Sequence, residues 1–171
     1  MSDSGAAFAW RPAHDGDVDA ICAIAAQIHP ALPERREVFE EKIALFPLGC
    51  FIFETGGTAT GYALSHPFRL GEAPALDAFL LRLPQTPDCH FIHDVAVLPA
   101  ARGRLAAPRF LDLAVAVARR QRFGALALIS VYGTAPLWRR YGFAEAAGPA
   151  KLASYGGDAH YMLRRIAADG T

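Results

Sequence analysis

The chain has 171 residues, 53% of them hydrophobic and 20% charged, which is enough apolar material for one core and too much for wholesale disorder. Lys plus Arg number 17 and Asp plus Glu number 17, and a formal charge of zero argues against a protein built mainly to hold nucleic acid or an anionic membrane. No apolar run reaches the length of a membrane span, the opening text MSDSGAAFAW lacks the pattern of a secretory signal, and Cys22, Cys50 and Cys89, widely spaced, odd in number and without a C-x-x-C, disfavour a disulfide framework and a structural zinc site. The expectation is one cytoplasmic domain over residues 1–171 without a metal.

Phe8 to Arg11 reads as a short strand, and His14-Asp15-Gly16-Asp17 supplies helix-start chemistry. Val18, Ile21, Cys22, Ala25 and Ile28 then recur at helical spacing until Pro30 and Pro33 stop the pattern. A second helix is predicted from Glu34 to Phe46. A hairpin follows, with Cys50 to Glu54 and Ala59 to Ser65 as strands around Gly56-Gly57. Pro67 to Pro87 is irregular, with a short helix predicted from Ala75 to Leu83; a long interruption between strands is either a binding surface or a solvated excursion. Phe91 to Leu98 reads as a strand, Pro99 to Ala107 as a loop, and Pro108 to Phe123 as a helix stopped by Gly124. Ala125 to Val131 is a continuous apolar run, expected of a strand covered on both faces. A short helix from Ala135 to Tyr141 and two tail strands between Lys151 and Ile166, separated by Gly156-Gly157, complete the order β-α-α-β-β-β-α-β-α-β.

The sharpest chemical signal is the strand–loop–helix text DVAVLPAARGRLAAPRFL, Asp94 to Leu111. Small loop residues let backbone N–H groups approach a ligand, and a helix start adds roughly half a positive charge. Arg102, Arg104 and Arg109 surround that point. Together they describe either a pyrophosphate site or a basic surface turn before an ordinary helix. The text is neither a Walker loop nor a dinucleotide fingerprint.

This segment resembles motif A of the GCN5-related N-acetyltransferases (GNAT), V-x-P-x-x-R-G-x-G-x-G/A, in which Val97, Pro99, Arg102, Gly103 and Ala107 match position by position. Further on, APLWRRYGF from Ala135 to Phe143 is similar to that family's motif B, in the family's order and spacing. The resemblance implies a mixed α/β fold with a mostly antiparallel central sheet flanked by helices and a splayed strand pair at the coenzyme A site. It implies acetyl-CoA as cosubstrate, with Val95, Ala96 and Val97 pairing the pantetheine arm. The pyrophosphate would lie on the amides of Arg102, Gly103, Arg104, Leu105, Ala106 and Ala107. Two residues depart from the pattern. Leu105 stands where the family has a glycine, and Trp138 where it commonly has the tyrosine that protonates the leaving thiolate.

An alkylamine with pKa ~10.4 is neutral in only about one molecule in ~2,500 at pH 7, so a positioned base contributes. His93 and Asp94, on the strand leading to the loop, are the first candidates. Strand alternation puts Asp94 with Ile92 and Ala96 and His93 with Phe91, Val95 and Val97, on opposite faces unless a bulge intervenes. His66, ending the preceding strand, and Trp138 are candidate substrate contacts. Tyr141 is the candidate acid, with Tyr132 and Tyr155 as other phenols to weigh against plain packing roles. Cys89 raises an acyl-cysteine route, although a lone cysteine is usually a small buried hydrophobe. The expected activity is acetyl transfer to a primary amine of a small molecule or peptide. The alternative is a non-catalytic acyl-CoA-binding module. A homodimer is compatible with either, and neither needs a nucleic acid or membrane partner.

Overall fold

A computed structural model describes residues 7–167. Seven strands form one sheet in the order β1-β2-β3-β4-β5-β7-β6, comprising β1 (Phe8–Pro12), β2 (Cys50–Thr55), β3 (Thr58–Phe68), β4 (Cys89–Val97), β5 (Ala125–Ser130), β6 (Ala144–Glu145) and β7 (His160–Arg165). Every neighbouring pair is antiparallel except β4 and β5. Helices α1 (Val18–Ile28) and α2 (Arg36–Leu45) cover one face, where Ile21, Ile24, Phe39 and Ile43 pack on Ile52, Tyr62 and Leu64. Helix α3 (Ala106–Arg120) covers the other, where Phe110, Leu111, Ala114 and Ala118 meet Ala63, Ile92, Leu126 and Leu128. The short α4 (Ala135–Arg140) joins that second layer through Ala135 and Trp138.

Local chemistry explains where the elements start and stop. α1 buries Val18, Ile21, Ile24 and Ala25 at helical spacing, and ends at His29 just before Pro30. α2 begins two residues later than its pattern predicts because Arg35 is extended (φ −70°, ψ 149°) and its N–H goes to Asp77 Oδ1 at 2.7 Å. α3 begins two residues earlier than predicted, at Ala106. Pro108 therefore falls in the first turn, where an N–H would lack an intrahelical partner in any case. The run Ala125 to Leu128 in β5 is buried residue by residue, as its unbroken apolar text predicts.

Two expectations fail. No helix forms over 75–83, where Asp77 (φ 54°) and Leu81 (φ 62°) adopt the left-handed region. Side-chain carboxylates claim N–H groups of this segment: Glu41 accepts from Leu80 and Leu81, both at 2.7 Å, the two a helix would have used, and Glu34 accepts from Asp77 at 3.2 Å. In the tail only β7 is a strand. Residues Ala150–Tyr155 wind into a 3-10 helix, and β7 instead pairs with β5 and β6, both ahead of it in the chain. Tyr155, buried and donating its hydroxyl to the Pro74 carbonyl at 2.9 Å, holds that turn against the irregular stretch.

Candidate active site

β4 and β5 pair only from His90↔Leu126 to Ile92↔Leu128, although β4 runs on to Val97. Beyond Ile92 the two strands part, and a cleft of about 700 Å³ opens between them. On its other edge β4 stays paired to β3 as far as Val97↔Gly61. Val95, Ala96 and Val97 thus line the cleft from a strand whose β5-side edge is free of ladder bonds.

The loop after β4 closes one end. Arg102, Gly103, Leu105, Ala106 and Ala107 line the cleft there. Gly103 has φ +76°, which a glycine adopts without strain. Leu105 also sits in the left-handed region (φ 57°, ψ 24°), half exposed, directly before α3. It adopts the backbone a glycine would take, at a cost of ~1–2 kcal/mol. The first α3 bond is Arg109 N–H to Leu105 C=O at 3.0 Å, so the preceding amides of the turn have no intrahelical acceptor and the positive end of a fifteen-residue helix faces the cleft. Trp10 fixes this turn by donating Nε1–H to the Ala106 carbonyl at 2.8 Å, with its ring against Phe53 and Phe110. Of the three arginines around this turn, only Arg102 lines the cleft, its Nε–H on the Val97 carbonyl at 3.1 Å. Arg104 and Arg109 lie over the Phe8 ring at 5.3 and 5.2 Å, so Arg104 offers the cleft no side chain.

The other end carries titratable groups. A bulge does intervene in β4. Leu64 pairs with Asp94 but Ser65 pairs with Ile92, leaving His93 as the additional residue. His93 therefore stays on the Phe91 side, with ring centroids 6.5 Å apart, while Asp94 falls with Ala96 and Tyr62 on the same face. Ile92 and Val95 turn to the α3 layer. The opposite-face placement expected from alternation is overturned, and His93 and Asp94 both line the cleft.

Each is paired. Asp94 Oδ1 lies 2.9 Å from His29 Nε2, and the buried Tyr62 hydroxyl donates to Asp94 Oδ2. His29 stacks on Tyr132, with centroids 5.6 Å apart and planes 11° apart. Burial works against the charged form of His29, but the Asp94 carboxylate outweighs it and the pKa is raised. His93 Nε2 lies 2.9 Å from Glu34 Oε1, and the buried Lys42 ammonium stands 3.9 Å from Glu34 Oε2. Burial pushes the Glu34 carboxyl up, yet His93 and Lys42 hold it down at about 2. Burial lowers the Lys42 pKa, with Glu34 opposing.

Of the remaining candidates, Tyr141 and Trp138 line the cleft from α4 and its end, rings 6.4 Å apart, and Tyr132 and Tyr155 line it as well. His66 does not. It is buried among Phe68, Phe91 and His93 behind the wall, and burial takes its pKa down to about 3. Cys89 is fully buried with its thiol pushed up to about 12 by desolvation, which keeps it a thiol and leaves no acyl-cysteine nucleophile there. His29 and Glu34 escaped the sequence reading. Their only signal is that two titratable residues stand in the break that Pro30 and Pro33 impose on a helix.

Comparison with known proteins bears on this geometry. A model of the acetyltransferase (GNAT) family matches residues 18–143. No curated protein matches the chain. Among solved structures, the chain is similar to N-acetylglutamate synthase from Neisseria gonorrhoeae complexed with coenzyme A and N-acetyl-glutamate, at 24% identity and TM-score 0.73, over 95% of this chain and 36% of that one. It spans only about a third of that protein's length. It is also similar to the GphF GNAT-like decarboxylase in complex with isobutyryl-CoA (18% identity, TM-score 0.73, 92% and 98% of the two chains). A third is the ribosomal-protein-S18-alanine N-acetyltransferase from Escherichia coli (17%, 0.65, 96% and 97%). At these identities the likenesses establish the fold.

Proposed function

The chain belongs to the acetyltransferase (GNAT) family, and we propose that its cleft transfers acetyl from acetyl-CoA to a primary amine by direct attack. The observation that carries this reading is the parting of β4 from β5 past Ile92, with an amide-rich helix start at one end of the opening and two carboxylate–imidazole pairs at the other. The free edge of Val95, Ala96 and Val97 and the turn from Arg102 to Ala107 fit an extended amide-bearing arm ending in a pyrophosphate, and are the residues to hold the coenzyme. Arg102 is the side-chain cation at that end.

In the reaction the amine nitrogen bonds to the thioester carbonyl carbon, the C–S bond breaks, and its electron pair leaves with sulfur. Asp94, with His29 as its partner, takes the proton the nitrogen loses; Tyr62 holds the other carboxylate oxygen and so fixes the orientation. His93, its Nε2–H committed to Glu34, stands beside Asp94 as part of the wall. Tyr141 returns a proton to the sulfur from the α4 side, the role its position beside Trp138 leaves to it. Trp138 contributes wall and not acid, since an indole N–H is no practical proton source.

A second reading, a non-catalytic acyl-CoA-binding module, has one observation in its favour: Trp138, and not a phenol, occupies the motif-B position on the cleft wall. The deciding experiment measures coenzyme A thiol release from acetyl-CoA across a panel of primary amines, alongside the acetyl-CoA affinity by calorimetry. Amine-dependent release supports transfer. Tight binding with no release for any amine supports the module, and absence of binding overturns both.

A further inference from the structure

The acceptor end of the cleft has a composition that the coenzyme end lacks. Its ionisable groups are Glu34, Asp94, His29 and His93, and the single Arg or Lys of the lining, Arg102, is at the far end beside Val97. Around them stand Ile28, Leu32, Leu76 and the Tyr132 and Tyr155 rings. A recess of about 90 Å³ continues from this end. It shares His29, Leu32, Glu34 and Asp94 with the cleft, and Ala25 and Phe39 are among its other walls.

The hydrogen-bond arithmetic of the two histidines decides what this end can receive. A carboxylate only accepts, so each Nε2 facing one is a donor already in use. The Nδ1 atoms of His29 and His93 have no partner but are shielded from contact. Lys42 lies behind Glu34, buried, and is not part of the wall. The side chains of this end therefore present carboxylate oxygen, phenol and hydrocarbon, and no free cationic donor. An ammonium meets favourable charge there. A carboxylate on the carbon beside the amine meets like charge and no cationic partner, a cost of kcal/mol scale in a partly enclosed site.

We propose that the acceptor is a primary monoamine on an apolar aryl or alkyl body, without a carboxylate next to the amine, its body lying against Leu32 and Leu76 and entering the recess toward Phe39. This rests on the transfer reading above and narrows it to a substrate class. The Glu34 carboxyl, held ionised by His93 and Lys42, keeps its own negative charge throughout the neutral range.

The test compares three amines of one skeleton at pH 7.5, namely phenethylamine, L-phenylalanine and L-phenylalaninamide, by thiol release from acetyl-CoA. The expected kcat/KM for phenethylamine exceeds that for phenylalanine at least 100-fold, and the uncharged amide recovers most of the loss, which assigns the discrimination to charge and not bulk. Phenylalanine equal to or better than phenethylamine overturns this inference and leaves acetyl transfer standing. Equal failure of the acid and the amide beside an active phenethylamine also overturns it, because size would then be the cause. Acetyl-CoA binding without release for any of the three, or for a wider amine panel, overturns the transfer reading and this inference with it.

Discussion

The two ends of the cleft are assembled in different ways. The end proposed for the coenzyme is one unbroken stretch, Val95 to Ala107, in which a strand, a left-handed turn and a helix start follow one another along the chain. The other end, proposed for the acceptor, draws on the α1–α2 connection, on Leu76, on the β4 bulge, and on Tyr132 and Tyr155, residues as far apart in the chain as His29 and Tyr155. Its cohesion comes from side chains that reach across. Glu34 bonds both His93 and the Asp77 amide, Arg35 bonds Asp77, and Tyr155 bonds Pro74. A ligand feature made of main-chain amides needs only local geometry, whereas selectivity made of side chains needs distant segments brought to one place. The first is fixed by short-range constraint, the second by packing.

Four experiments separate these ends. The largest expected effect is chemical. Asp94→Asn keeps the shape but removes the acceptor of the amine proton, lowering kcat/KM by ~10²- to 10⁴-fold with the acetyl-CoA Kd unchanged. A loss under twofold in steady-state kinetics removes Asp94 from the base role. Next is Glu34→Ala, which strands Lys42 and His93 in the interior and costs ~3–5 kcal/mol. Urea unfolding measures it, and a cost under 1 kcal/mol would mean that the pair is not what joins the acceptor wall to β4.

The third is a pH slope. Burial takes His66 down to about 3 and His90 down to about 4, below the ordinary histidine value of 6.5. Below pH 6.5 the unfolded chain takes up protons that the folded one refuses. Stability is therefore complete above 6.5 and falls with pH toward 4, by ~1.4 kcal/mol per pH unit for each histidine. His29, raised by Asp94, works in the opposite direction, so the clean measurement is the difference between wild type and His66→Phe, with the variant's slope smaller by one histidine's share. Equal slopes would contradict the buried, neutral state of His66. The smallest effect is expected at Leu105→Gly. Relief of the left-handed backbone, less the entropy glycine adds to the unfolded chain, leaves a gain of up to ~1 kcal/mol by thermal unfolding. A destabilised variant would show that the exposed Leu105 side chain makes a contact worth more than its backbone strain.

Much of the fold was legible. α1 follows from a periodic apolar stripe ended by Pro30, β5 from an unbroken apolar run, and the loop before α3 from small residues after a strand. The errors share a cause. The segment 75–83 has helix-compatible text, but the carboxylates of Glu34 and Glu41, about forty positions away, claim its amides. Likewise the tail reads as two strands until Tyr155 finds Pro74. Alternation separated His93 from Asp94, and only the register of β4 against β3 shows the bulge that reunites them.

The sequence by itself determined the α/β class, the turn ahead of α3 and the strand that carries His93 and Asp94, because each depends on dihedral preference and periodicity within a few residues. The tertiary structure alone decided that His29 and Glu34 line the cleft, that Arg104 and His66 do not, and that carboxylates and apolar side chains meet at the end opposite the α3 turn. Those outcomes depend on which distant side chains satisfy one another's charge and hydrogen bonds once water is removed, and no local pattern along the chain encodes that.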